Sequence, residues 1–164
     1  MTANITAGPP TPSPGFGLSL KGRALRYLAA REHSRAELER KLAAHAESPA
    51  QLAQVLDELQ AKDFISEARV IESVINRRQA KLGASRIKYE LQGKGLAPEA
   101  VLHALDGLKA TEVERAREVW RKKFDAKTGA ATDAAARAKQ MRFLAARGFG
   151  ADAIRRVVSQ SGDD

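Results

Sequence analysis

One helical phrase recurs along this chain at a near-constant interval, and that recurrence constrains the fold more than any other feature. Leu38, Leu42, Leu52, Val55, Leu56 and Leu59 are followed 49 positions later by Ile87, Leu91, Val101, Ala104, Leu105 and Leu108. Every apolar position of the first set meets an apolar position of the second. A further 53 positions on, the register falls on Gln140, Leu144, Ile154, Val157, Val158 and Ser161, apolar in the middle and polar at both ends. The spacing within the last helix of each copy is that of a helix with one buried face. Units of this length bury that face by stacking on their neighbours. The expected fold class is therefore all-α, a curved array of three tandem three-helix repeats. Such an array offers a long binding surface more readily than a catalytic pocket.

Capping residues divide the array. Ser34 with Glu37, and Ser48 with Gln51, have the spacing of capping boxes, and Pro49 and Pro98 stand where a first helical residue has no N–H to lose. Thr111 to Glu114 opens a further helix, while Gly95 and Gly148 have the setting of left-handed helix ends. Helices are expected over 20–31, 35–45, 49–61, 67–80, 85–93, 98–107, 112–125, 133–146 and 151–160. The repeats then span 18–64, 65–110 and 111–160. Residues 1–17 hold proline and glycine with no charged side chain and read as a disordered leader; 161–164 form a tail. The run from Asp125 to Thr132 is the best candidate for a flexible loop.

Composition excludes several functions. There is no cysteine, hence no disulfide framework or thiolate metal site. No segment approaches the ~20 apolar residues of a membrane span, and the leader lacks the basic start and apolar stretch of a secretory signal. A cytoplasmic monomer is the simplest expectation. His33, His45 and His103 lie in different helical regions without metal-ligand spacing, and are read as solvated or capping side chains. Glu37 and Glu39 are read as helix-stabilising charges. No strand carries a glycine-rich phosphate loop. The expectation is a protein that is not an enzyme and has no metal and no cofactor.

The net charge of +8 is unevenly spread. Residues 1–64 carry 8 basic and 7 acidic side chains, residues 65–110 carry 8 and 5, and residues 111–164 carry 12 and 8. The candidate binding residues are Arg77, Arg78, Lys81, Arg86 and Lys88, then Lys94, then Arg121, Lys122 and Lys123, and finally Lys139, Arg142 and Arg147. Exposed clusters of this kind contact phosphates or acidic protein surface. Arg86 and Lys139 occupy equivalent repeat positions, as do Lys94 and Arg147, so the cations are expected to form a stripe. Trp120 shares a helical face with Val113, Ala116 and Phe124 and is read as core.

Three phrases in order then become recognisable: Ala24-Leu-Arg-Tyr-Leu-Ala-Ala-Arg-Glu-His-Ser-Arg-Ala-Glu-Leu-Glu-Arg-Lys-Leu42, Arg86-Ile-Lys-Tyr-Glu-Leu-Gln-Gly-Lys-Gly-Leu96 and Arg142-Phe-Leu-Ala-Ala-Arg-Gly-Phe149. From about Lys21 to Val158 the chain resembles the RecX family of bacterial recombinase regulators. It departs from that family's pattern at Asp63-Phe-Ile-Ser-Glu67, where a glycine usually leads. Val70 stands where a phenylalanine is common, and the glycine-rich turn is reduced to Leu82-Gly83-Ala84. The resemblance implies a curved array that binds the RecA filament on single-stranded DNA. It further implies inhibition or destabilisation of that filament, restraining recombination, ATP hydrolysis and co-protease activity. Two other readings stay open: a helix-turn-helix-like regulator that binds DNA directly, and a generic helical-repeat scaffold for an acidic partner.

Overall fold

The repeat register folds as its spacing requires. A computed structural model describes residues 17–125 and 133–160, and the described residues hold nine α-helices and no strand. The first unit comprises α1 (Leu20–Ala30), α2 (Arg35–Leu42, prolonged by a 3₁₀ turn, Ala43–His45) and α3 (Pro49–Ala61). The second comprises α4 (Glu67–Arg78), α5 (Ala84–Gly93) and α6 (Pro98–Lys109). The third comprises α7 (Glu112–Trp120, prolonged by a π-helical turn, Arg121–Asp125), α8 (Ala134–Ala146) and α9 (Ala151–Gln160). The leader up to residue 16, the run 126–132 and the tail with Ser161 lie outside the described residues.

Local chemistry accounts for the helix ends. Ser34 Oγ accepts from the Glu37 amide at 3.2 Å while Glu37 Oε2 accepts from the Ser34 amide at 2.8 Å, a closed capping box. The Ser48 box closes one residue further out: Gln51 Oε1 accepts from the Glu47 amide at 2.7 Å, not from Ser48. Gly95 and Gly148 have φ of +68° and +89°, the left-handed ends their setting predicts. Asp63, where the resemblance leads to the expectation of a glycine, also adopts a left-handed φ of +63°. Arg69 secures it, donating to the Asp63 carbonyl at 2.6 Å and to its carboxylate at 3.0 Å.

The apolar register does not make one continuous core. It makes three, one inside each unit. Leu38, Leu42, Leu52, Leu56 and Leu59 pack with Leu20, Ala24 and Ile65. Ile87, Leu91, Val101, Leu105 and Leu108 pack with α4 through Val70, Ile71 and Val74. Leu144, Ile154, Val157 and Val158 pack with Ala116, Val119, Trp120, Phe124 and Phe149. Gln140, the polar residue at a leucine position, is buried there, and its Oε1 accepts from the indole Nε1 of Trp120 at 2.9 Å. Trp120 is core, as its helical face implies.

The cores stay separate because the joints between units are polar. In both joints the glycine turn that ends a middle helix rests on the first turn of the preceding middle helix. At the first joint, Ser34 Oγ donates to the Lys94 carbonyl at 2.6 Å and Lys94 Nζ donates to Glu37 at 2.7 Å. Arg31 adds a 3.1 Å contact to the same carboxylate. At the second joint the backbone makes the connection: the Gly83 amide donates to the Arg147 carbonyl at 2.8 Å, and the Ser85 amide to the Gly148 carbonyl at 3.2 Å. Arg115 pins this joint from α7, donating to the carbonyls of Gln79 at 3.2 Å, Leu82 at 2.8 Å and Leu108 at 3.1 Å.

A candidate cationic groove between the second and third units

The repeat register puts Arg86 where the first joint has Glu37, and Arg147 where it has Lys94. A neutral, sealed pair in one joint is therefore replaced by two like charges in the next. The side chains around this second joint open into a groove of about 340 Å³, lined by Ala80, Lys81, Val119, Lys122, Lys123, Phe143 and Arg147. Lys81 comes from the turn that follows α4, Lys122 and Lys123 from the π turn, and Arg147 from the cap of α8. None of the four cations has a carboxylate in salt-bridge range among the described residues.

Three features build the groove. The first is the π turn, a wide single turn of the kind that recurs at functional sites. It keeps Phe124 buried beside Trp120 while Lys122 and Lys123 stay exposed on the groove side. The second is the aromatic wall. The Phe143 ring meets Phe124 edge-on at 5.2 Å, and the Arg147 guanidinium lies 4.6 Å and Lys123 Nζ 6.0 Å from its centroid. These cation–π contacts hold both charges at the groove without neutralising them. The third is the depression on the other side of the α4 end, where Glu114 and Glu118 line the wall and share only Ala80 and Lys122 with the groove. Glu114 and Glu118, with the internally bonded Arg115, thus stand on one side of Lys122, and Lys81, Lys123 and Arg147 on the other.

The remaining candidate residues divide by environment. Arg77, Arg86, Lys139 and Arg142 are exposed, and Lys88 is half-buried. Arg78 is held by Glu90 at 2.9 Å and Arg121 by Glu118 at 3.1 Å, so both enter any further contact already paired. Lys94 does not join the stripe. Its side chain is 13% exposed and locked on Glu37, because the glycine turn carries it inward against α2. Arg115 is likewise internal, and its burial lowers the pKa of the guanidinium against the opposing pull of Glu112.

Two acid–base groups depart from their sequence reading. Glu37 is buried: burial alone would raise its pKa, but donors from Lys94, the Ser34 amide and Arg31 outweigh it and hold the carboxyl at about 2. His33 is buried rather than solvated, with Nδ1 at 3.0 Å from the Arg31 carbonyl, and burial lowers its pKa. Sequence reasoning also passes over Tyr89, which is 77% exposed on α5. The available signal is its position, outside the apolar register of a helix whose other faces are accounted for.

No group of three His, Cys, Asp or Glu side chains that could hold a metal occurs among the described residues. None of the described helices is long and apolar enough to cross a membrane. Fold and groove together define a helical-repeat protein with an open basic groove. Sequence models of the first and third three-helix domains of RecX match residues 21–59 and 110–158. The regulatory protein RecX of Leptothrix cholodnii is 55% identical over 141 residues, covering 86% of this chain and 88% of the relative. That of Herminiimonas arsenicoxydans is 52% identical over 141 residues, covering 86% and 91%. The crystal structure of RecX from Lactobacillus salivarius shares the fold, with a TM-score of 0.74, 22% identity, and coverage of 88% of this chain and 96% of that one. The chain belongs to the RecX family of regulatory proteins.

Proposed function

We propose that this protein is a cytoplasmic, monomeric negative regulator of RecA that binds the RecA–single-stranded DNA filament and inhibits or destabilises it without turnover of its own. The observation that carries this reading is the uncompensated groove at the second joint of a RecX-family array. Lys81, Lys122, Lys123 and Arg147 converge there from the turn after α4, the π turn and the cap of α8, with no carboxylate in salt-bridge range among the described residues. A filament on single-stranded DNA offers both phosphates and acidic protein surface to such a groove. Filament binding accounts for a regulator's effect on recombination, ATP hydrolysis and co-protease activity together, because all three depend on the same assembled filament.

The test is RecA-dependent ATP hydrolysis and strand exchange on single-stranded DNA at rising concentrations of this protein. Both should fall, and the effect should saturate with filament concentration rather than increase with incubation time as an enzyme's would. Unchanged hydrolysis and exchange in the presence of folded, soluble protein would reject the proposal.

A further inference from the structure

Tyr89 is the most exposed large apolar side chain among the described residues, at 77%. The chain's other tyrosine shows what an occupied ring looks like here: Tyr27 is half-buried, packed at 5.6 Å from the His33 ring and covered by Lys41 Nζ at 4.9 Å. Among the described residues no cation and no ring covers Tyr89. Its register equivalents on the other middle helices are Arg40 on α2 and Arg142 on α8, both exposed. The outermost line of the array therefore reads arginine, tyrosine, arginine.

The neighbours of Tyr89 are set by the helix and by the first joint. Arg86, three residues earlier, is exposed on the same face of α5. Four residues later is Gly93, whose carbonyl accepts a hydrogen bond from Arg40 Nη2 of the first unit at 3.3 Å. The ring thus lies between two guanidinium groups anchored about 10 Å apart along the helix. Ser85, Gln92 and Gly93 complete the stripe with small or neutral side chains, and Glu90 is turned away to Arg78. Among the described residues no carboxylate stands on the stripe.

We infer that this outer stripe of α5 is a second, base-stacking contact for single-stranded nucleic acid, with Tyr89 stacking on one unpaired base and Arg40 and Arg86 holding the phosphates on either side. Flanking cations with an open aromatic face are the arrangement single strands require, and stacking is tolerant of sequence because every base has a π-face. The ring is bordered by guanidinium groups and neutral polar side chains, the lining that a phosphate backbone with unpaired bases matches. The site is separate from the groove at the second joint and does not depend on RecA.

The experiment measures binding of full-length protein to a fluorescently labelled thymidine 20-mer and to an abasic backbone of the same length, without RecA, across a salt series. Tyr89→Ala should weaken binding to the thymidine strand about ten-fold and leave binding to the abasic strand unchanged. Its salt slope should equal that of the unaltered protein, since every phosphate stays engaged. Tyr89→Phe should restore binding. Arg40→Ala with Arg86→Ala should weaken binding to both strands and flatten the slope. A thermal melt unchanged by Tyr89→Ala shows that the fold is intact. Equal affinity of Tyr89→Ala and unaltered protein for the thymidine strand would overturn the inference. So would an equal weakening on both strands. A change confined to RecA inhibition, with no effect on bare strands, would make Tyr89 a protein contact and overturn it too. Failure of RecA inhibition alone would leave these binding results standing and strike only the regulatory reading.

Discussion

At the scale of single residues, Glu37 ties the first unit to the second. It closes the α2 capping box, accepts from Arg31, and receives Lys94 from the second unit. Its carboxyl is held at about 2 against an ordinary 4.5. A depressed carboxyl contributes stability above its unfolded value and loses it as pH falls toward its folded value. That contribution, up to roughly 3 kcal/mol, should be complete at pH 5 and gone by about pH 2. His33 adds an earlier step, because a histidine pushed below its usual 6.5 by burial also loses stability as pH drops below that value. Glu37→Gln should destabilise by about 2–4 kcal/mol at pH 7, since Lys94 is left without its partner, and should shrink the loss below pH 4.5 to what the exposed Glu58, held low by Lys21 and Lys62, still contributes, while sparing the one below 6.5. Denaturant melts at half-unit pH intervals read both limbs directly.

The residue scale is also where sequence reasoning is weakest. Glu37 and Lys94 are 57 positions apart, and each has an ordinary local explanation: a cap for one, a surface cation for the other. Nothing in their spacing reports that a glycine turn brings them together. Gln140 reads in sequence as a degraded apolar position, yet it is buried and satisfied, because the Trp120 indole supplies the one donor its oxygen needs. Asp63 keeps a left-handed backbone of the kind that favours glycine, with Arg69 holding both its carbonyl and its carboxylate.

At the scale of elements, the helices are legible in the sequence almost throughout, since period, caps and glycine ends agree. The groove is not. Its cations come from the turn after α4, the π turn after α7 and the cap of α8, far apart in the chain, and only the second joint gathers them. The π turn is invisible for a related reason: Arg121–Asp125 continues the α7 pattern as an ordinary helix would. The groove makes a quantitative prediction. Lys122→Ala with Lys123→Ala should weaken filament binding and lower the slope of log affinity against log salt by about 0.7 for each phosphate set free. Stability should be nearly unaffected, as both side chains are exposed and outside any salt bridge among the described residues. Lys62→Ala with Lys109→Ala removes the same charge from side chains already paired with Glu58 and Asp106 and should change the slope little. Filament pelleting across a salt series, with melts alongside, separates the two pairs.

At the scale of the whole molecule, three small cores joined by polar contacts behave differently from one large one. Leu56 and Leu105 are both buried, but in different cores. Leu56→Ala and Leu105→Ala should each destabilise by about 2–5 kcal/mol. The double variant should equal the sum to within about 0.5 kcal/mol, because no neighbour is shared. Hydrogen exchange should localise each effect: faster in α1–α3 for the first and in α4–α6 for the second. A single coupled core would spread both effects across all the described helices.

The backbone contact at the second joint sets the pitch of the array. A methyl group on Gly83 would run into the carbonyl of Gly148 and the amide of Phe149, and one on Gly148 into Arg86. Those that face Gly83 are main-chain obstacles, so no side-chain rotation relieves them. Gly83→Ala is therefore a wedge: it should leave all three cores folded and open the angle between the second and third units, lengthening the particle seen by small-angle scattering. A ruler with one changed joint no longer matches a periodic track. The same substitution should reduce RecA inhibition more than it reduces binding to a short single strand, which spans too little of the array to sense the angle.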